Sequence, residues 1–279
     1  MSQRFFEGAT HAAVYAKFRP HPPTSLTARI MSFLKEKYTG SLTGATDVGC
    51  GSGQTTQILA PHFTNVTGLD ISQEQINQAN KLNNNPAVSF KVSGAEKLPF
   101  ANTSLQLVTA GQACHWFDMK KFYDEVDRVL VPGGVLALYG YLFPEPVNTI
   151  ADKKLSEILE HVYKVELDGY IYKGSQEVYL NNYKLDKYNM IYYMDSQIRD
   201  ETHYTDRTMT VSDFTGYIST WSGLQNYKQD KGEEAAEEVL KTFQSRVMST
   251  LESTETPQQT EISIRYRYFL LLGRKPDNN

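Results

Sequence analysis

The segment Thr46-Asp47-Val48-Gly49-Cys50-Gly51-Ser52-Gly53-Gln54 constrains this chain more than any other. It reads as a strand turning into a helix. Glycines at alternate positions allow a tight turn, tolerate positive φ and let a ligand come close to the backbone, with the amides of the following helix pointing at it. The spacing narrows the ligand. A dinucleotide fingerprint places its glycines as G-x-G-x-x-G. Here Gln54 occupies the third position of that pattern, while G-x-G-x-G fits, so an NAD-dependent oxidoreductase is disfavoured.

The surrounding rhythm predicts the fold class. Strands are expected at Gly44–Gly49, Val66–Asp70, Val88–Val92, Leu105–Ala110 and Val135–Tyr139. Between them lie helical patterns. Leu26, Ile30, Phe33 and Leu34 share one face, with Thr24 or Ser25 as cap. A helix opens near Gln54, Ser72 caps Glu74–Leu82, and Phe122, Val126, Val129 and Leu130 line one face of Phe117–Leu130. Such alternation gives a mostly parallel α/β sheet with helices on both faces. Asp70 ends the second strand, where a carboxylate can accept both hydroxyls of a ribose. Beyond Pro144 the rhythm changes: helix over 150–165, an irregular tyrosine-rich stretch over 170–194, a strand over Gln197–Thr208, helices over Ser212–Tyr227 and Glu233–Leu251, and a final strand over Ile262–Leu272. We therefore divide the chain into a core with its N-terminal lead-in (1–143), a cap inserted over 144–227 that includes a sheet strand, and a helix and strand that complete the core (228–279).

A formal charge of −4 and a pI near 5.9 argue against a partner that tracks a nucleic-acid backbone. Cys50 and Cys114 form no C-x-x-C pair, and the six histidines show no metal-ligand spacing, so no metal is expected. The N-terminal residues lack a charged-then-apolar layout, and no apolar run approaches ~18 residues. The expectation is a reduced, cytoplasmic protein without a membrane partner.

Three motifs occur in order: Asp47-Val48-Gly49-Cys50-Gly51-Ser52-Gly53, Ser93-Gly94-Ala95-Glu96-Lys97-Leu98-Pro99-Phe100 and Arg128-Val129-Leu130-Val131-Pro132-Gly133-Gly134. On these, residues 40–140 resemble the S-adenosylmethionine (SAM) binding core of the Rossmann-like methyltransferases of type 11. A narrower likeness rests on Tyr15, Arg19-Pro20, Ala113-Cys114-His115-Trp116-Phe117-Asp118, Thr220-Trp221-Ser222 and the closing Leu272-Gly273-Arg274-Lys275. Those segments are similar to the trans-aconitate methyltransferase-like branch, whose members methylate carboxylates of small molecules. The resemblance implies a Rossmann-like seven-stranded sheet with a C-terminal cap insertion, SAM as cofactor, S-adenosylhomocysteine as product and a small-molecule methyl acceptor.

It also implies roles. Gly49, Gly51 and Gly53 would line the methionine and ribose part of SAM, Asp70 would hold the ribose diol and Ile71 would pack on the adenine. Ala95 and Glu96 would border the base. Tyr15 and Arg19 would fold over the cofactor, the arginine pairing with the methionine carboxylate. Asp47 would sit under the loop or meet the amino group, which Gln112 would also approach. His115 is expected as a pocket wall or a base, with Trp116 and Trp221 beside it on the acceptor side. An acceptor carboxylate would need cations or polar donors, for which Arg199, Arg207, Lys173 and the tyrosines between Tyr163 and Tyr193 are candidates. A hydroxyl or amine acceptor would instead need a base. A SAM-binding scaffold without catalysis is the alternative of a different class.

Overall fold

The computed structural model describes residues 18–193 and 196–277. Its centre is an eight-stranded sheet in the order β3-β2-β1-β4-β5-β8-β6, with β7 pairing the other edge of β8. Strands β1 (Gly44–Val48), β2 (Asn65–Asp70), β3 (Val88–Val92), β4 (Leu105–Gly111) and β5 (Leu130–Tyr141) run parallel. The closing strand β8 (Glu261–Arg274) is antiparallel to β5, to the short β6 (Glu145–Val147) and to β7 (Ile198–Thr210). Seven of these strands are the expected ones. The eighth, β6, is three residues long and too short to leave a periodic pattern.

Period-two alternation distributes the core over two faces. Along β5, Val135, Ala137, Tyr139 and Tyr141 pack into one apolar cluster and Leu136 and Leu138 into the other. The first cluster takes helix α1 (Thr24–Lys35) through Leu26, Ile30 and Leu34, and α3 (Gln73–Leu82) through Ile76 and Ala79. The second takes α4 (Met119–Val129) through Phe122, Val126 and Val129. A sheet buried on both faces explains why β4 reads as a continuous apolar run rather than an alternating one.

Local chemistry sets most boundaries. Ser72 caps α3 by accepting from Gln75 N at 3.3 Å, and Asp118 caps α4 by accepting from Lys121 N at 3.3 Å. Other boundaries depart from the sequence reading. Pro23, not Thr24 or Ser25, precedes α1, and no side chain caps that helix. The Pro132-Gly133-Gly134 turn lies inside β5, whose register against β4 shifts between Leu105 and Leu107. Between α2 (Gln54–Gln57) and the end of the chain, the cap carries α5 (Asp152–His161), a π-helical turn at Val162–Glu166, α6 (Lys173–Asn181), α7 (Val211–Ser219) and α8 (Ser222–Lys231), followed by α9 (Glu233–Thr250). The tyrosine-rich stretch thus contains a helix, and Ser212–Tyr227 is two helices rather than one. They break at Thr220–Trp221, where Trp221 is extended. No helix among the described residues is long and apolar enough to cross a membrane.

Candidate functional site

The segments leaving the C-terminal ends of β1, β2, β4 and β5 line a cleft of about 1000 Å³. Open α/β sheets bind ligands at this edge, where the strand order reverses, here between β1 and β4.

The glycine loop forms one wall. Gly49, Gly51 and Gly53 have φ of 73°, 54° and 86°, a region that side chains rarely enter. The loop is tied back to β2 by Gly49 N and Cys50 N, which both donate to Leu69 O, at 2.7 and 2.9 Å. A Cβ on Gly49 would stand 2.4 Å from Ala113 Cβ. Gly49 and Gly51 line the cleft, but Gly53 does not. A Cβ on Gly53 would meet the Phe90 ring at 2.5 Å, so this glycine serves the packing of loop against β3.

Asp47 needs the same correction. Its carboxylate is fully buried and absent from the cleft wall. It accepts from Thr55 Oγ1 at 2.6 Å, Thr56 Oγ1 at 2.9 Å and Thr109 Oγ1 at 2.8 Å, fastening the start of α2 and strand β4 beneath the loop. Burial raises its pKa against the pull of those hydroxyls.

Asp70 faces the cleft. One oxygen accepts from Gly51 N and the other from Ser72 N, both at 2.9 Å. Burial raises its pKa, opposed by the amides of Ser72, Gly51 and Ile71. Each carboxylate oxygen offers two acceptor positions, so the amides fix the side chain without exhausting it. Beside it Ile71 is 48% exposed, an apolar face on the cleft wall. Ala95 and Glu96 line the same side, and Glu96 accepts from Asp118 N at 3.0 Å.

The opposite wall is aromatic. Arg19 is buried, donating to Tyr141 Oη at 2.6 Å and to Thr220 O at 3.0 Å, with its guanidinium 5.3 Å from the centre of the Tyr217 ring. Thr220 ends α7, so this cation sits at the negative end of a helix. Gln112 has a left-handed backbone at φ 53°, and its side chain brackets Tyr141, accepting from the backbone N at 3.0 Å and donating to the carbonyl at 3.4 Å. Trp116 stacks on Tyr172 at 4.3 Å and 7°. Arg19, Gln112 and Trp116 also line a second, smaller cavity of about 50 Å³, which His115 and Trp221 border from behind.

His115 is buried, and its Nδ1 is 2.9 Å from Tyr183 Oη. Burial, with Lys187⁺ and Arg19⁺ nearby, pulls its pKa down to about 3, so at neutral pH it is an uncharged imidazole and a very weak base. It belongs to the small cavity, not to the main cleft.

Tyr15 lies outside the described residues. Arg199, Arg207 and Lys173 line neither cavity. Arg207 donates to the carbonyls of Phe18 and Arg19, and Arg199 to that of Asn182, which are tethers between segments. Of the clustered tyrosines, Tyr172 reaches the cleft and Tyr163 and Tyr179 the small cavity, while Tyr183, Tyr188 and Tyr193 are core. The sequence reading missed Tyr139 and Tyr141 as cleft residues. Their signal was available, since both stand at the C-terminal end of an expected core strand. Tyr183, the partner of His115 from 68 positions away, left none.

Residues 46–138 match the family model of the methyltransferase domain. A Dictyostelium discoideum protein named as a methyltransferase is 28% identical over 94% of this chain and 92% of its own length. A Saccharomyces cerevisiae protein named as an S-adenosylmethionine-dependent methyltransferase is 28% identical over 61% of this chain and 58% of its own. A solved structure of a type II methyltransferase from Anaeromyxobacter dehalogenans shares the fold, with a TM-score of 0.72, 24% identity and coverage of 94% of this chain and 100% of that one. The chain carries a methyltransferase domain of the SAM-dependent kind, and its cofactor is SAM. The residues present fit that cofactor: a strand-end carboxylate held by two amides, a side-chain-free loop opposite it and an exposed isoleucine between loop and base side.

Proposed function

We propose that the chain transfers a methyl group from SAM to a small molecule through a carboxylate of that acceptor. In this reading Asp70 holds the ribose diol, Gly49 and Gly51 admit the ribose and methionine portion, and Ile71, Ala95 and Glu96 border the adenine. Arg19 meets the methionine carboxylate, and Gln112 sits near the methionine end. Bound SAM supplies an electrophilic methyl group on a sulfonium. The protein's part is to orient the acceptor in line and to keep water out, which the stacked Trp116–Tyr172 pair and the buried tyrosines at the end of β5 favour.

One observation carries the choice of acceptor. The aromatic wall offers no proton acceptor suited to neutral pH. His115 stays neutral down to about pH 3, burial pushes the Tyr139 hydroxyl well up, and that of Tyr141 stands at about 12. The acidic side chains of the cleft, Asp70, Glu96 and Asp118, belong to the cofactor side and accept from backbone amides or cap a helix. An acceptor that must lose a proton finds no base here, whereas a carboxylate arrives ionised. The likeness to enzymes that methylate small carboxylates supports the same reading.

A panel of small carboxylic acids, phenols and amines, followed by S-adenosylhomocysteine release, tests it. Carboxylic acids turn over, with kcat flat between about pH 6 and 8 because neither acceptor nor His115 titrates there. Turnover confined to phenols or amines would contradict the proposal, and tight SAM binding without any turnover would leave the scaffold reading.

A further inference from the structure

The small cavity behind Trp116 carries an unsatisfied chemistry. Trp221 and Tyr163 both line it, with their rings edge to face at 5.6 Å. Trp221 is only 6% exposed, and among the described residues neither its indole Nε1–H nor Tyr163 Oη has a hydrogen-bond partner. A buried polar group without a partner costs on the order of 1–3 kcal/mol, and two in one wall call for an occupant that satisfies them. The rest of the wall defines that occupant. Ser175 and Ser222 add hydroxyls, Arg19 adds a cation and His115 is neutral. Burial, Lys187 and Arg19 all disfavour a proton on His115, which means that the local field rejects further positive charge. At about 50 Å³ the space holds a group of a few atoms and not a ring.

We infer that this cavity is an anchoring subsite for a small oxygen-bearing group of the methyl acceptor, a carboxylate or carbonyl, held by Trp221 Nε1 and Tyr163 Oη. The inference rests on the small-molecule acceptor proposed above and adds to it a second polar group, distinct from the one that is methylated. Arg19, Gln112 and Trp116 form the shared wall, so an acceptor bound here extends past them into the main cleft. The donors select for a lone pair, and the arginine favours an anion over a neutral carbonyl.

The chain contains two tryptophans, so its indole N–H nuclear magnetic resonance spectrum has two signals, and Trp221→Phe assigns them. The protein loaded with S-adenosylhomocysteine is titrated with acetate, acetamide, ethanol and ethylamine. Acetate shifts the Trp221 signal downfield in a saturable way, acetamide does so more weakly, and ethylamine leaves it in place. Tyr163→Phe raises the apparent dissociation constant for acetate roughly tenfold or more, the loss of one hydrogen bond to a charged group. No response of Trp221 to acetate, an equal response to ethylamine, or an acetate response untouched by Tyr163→Phe overturns the subsite. The readout needs no turnover. Acetate at Trp221 without methylation of any carboxylic acid keeps the subsite and removes the reacting group proposed above, and the converse keeps the reaction and removes the subsite.

Discussion

Around Asp70 the cleft is held by backbone, with amides of Gly51 and Ser72 on the carboxylate, Leu69 O on the loop and three threonine hydroxyls on the buried Asp47. Around Trp221 it is held by side chains: Phe143, Tyr163 and Tyr217 pack on the indole, and polar atoms in that wall stay unpartnered. The difference follows from what each wall recognises. A fixed cofactor can be met by a fixed backbone arrangement, which depends on glycine positions and strand ends. An acceptor is met by interchangeable side chains, whose chemistry can change without disturbing the sheet.

The largest effect separating the two walls is expected from a single methyl group. Gly49→Ala places a Cβ 2.4 Å from Ala113 Cβ at φ 73°. Combined backbone strain and overpacking should cost about 2–5 kcal/mol in urea unfolding, with SAM binding lost. Gly232→Ala has φ 93° but nothing within 4 Å, so it should cost only about 1 kcal/mol. Equal losses at the two positions would show that the close approach at Gly49 is not what constrains the loop.

Next comes the carboxylate. Asp70→Ala should weaken SAM by ~1.5–3 kcal/mol, roughly ten- to hundredfold. Asp70→Asn should lose less, because one oxygen still accepts. Calorimetric titration with folding checked by circular dichroism decides, and unchanged affinity in a folded protein removes Asp70 from the site.

A pH experiment addresses the aromatic wall. The folded pKa of His115 is lowered to about 3 from 6.5, so its contribution to stability is fully present above pH 6.5 and is lost as pH falls toward the folded value. Between pH 6.5 and 5 the loss should be about 2 kcal/mol. His115→Gln should flatten that part of the stability profile, and an unchanged slope would mean that His115 charges freely in the folded protein.

The same division explains what the sequence disclosed. The loop, Asp70 and the strand order were legible because they are local: glycine spacing, a strand-end acid and an alternating rhythm. Gly53 and Asp47 were assigned to the cofactor because a motif does not say which of its members face outward. Phe90 and three threonines settle that, and they come from other strands and helices. In the acceptor wall Trp116 and Trp221 were named by likeness. The pairing of His115 with Tyr183, which bears on whether the histidine can be a base, depends on a left-handed turn at Asn182 and Tyr183 that no local pattern announces. Arg207 and Arg199 looked like acceptor ligands because charge is visible in sequence, whereas the carbonyls that occupy them are not.

The division itself is tested most directly by Trp221→Ala, with the SAM dissociation constant and methyl transfer to the best carboxylic acid measured on the same preparation. The account predicts SAM affinity within about twofold of the parent and kcat/KM lower by tenfold or more, the cost of a lost aromatic wall and hydrogen bond. Weakened SAM binding with unaltered use of the acceptor would put Trp221 on the cofactor side and contradict the division.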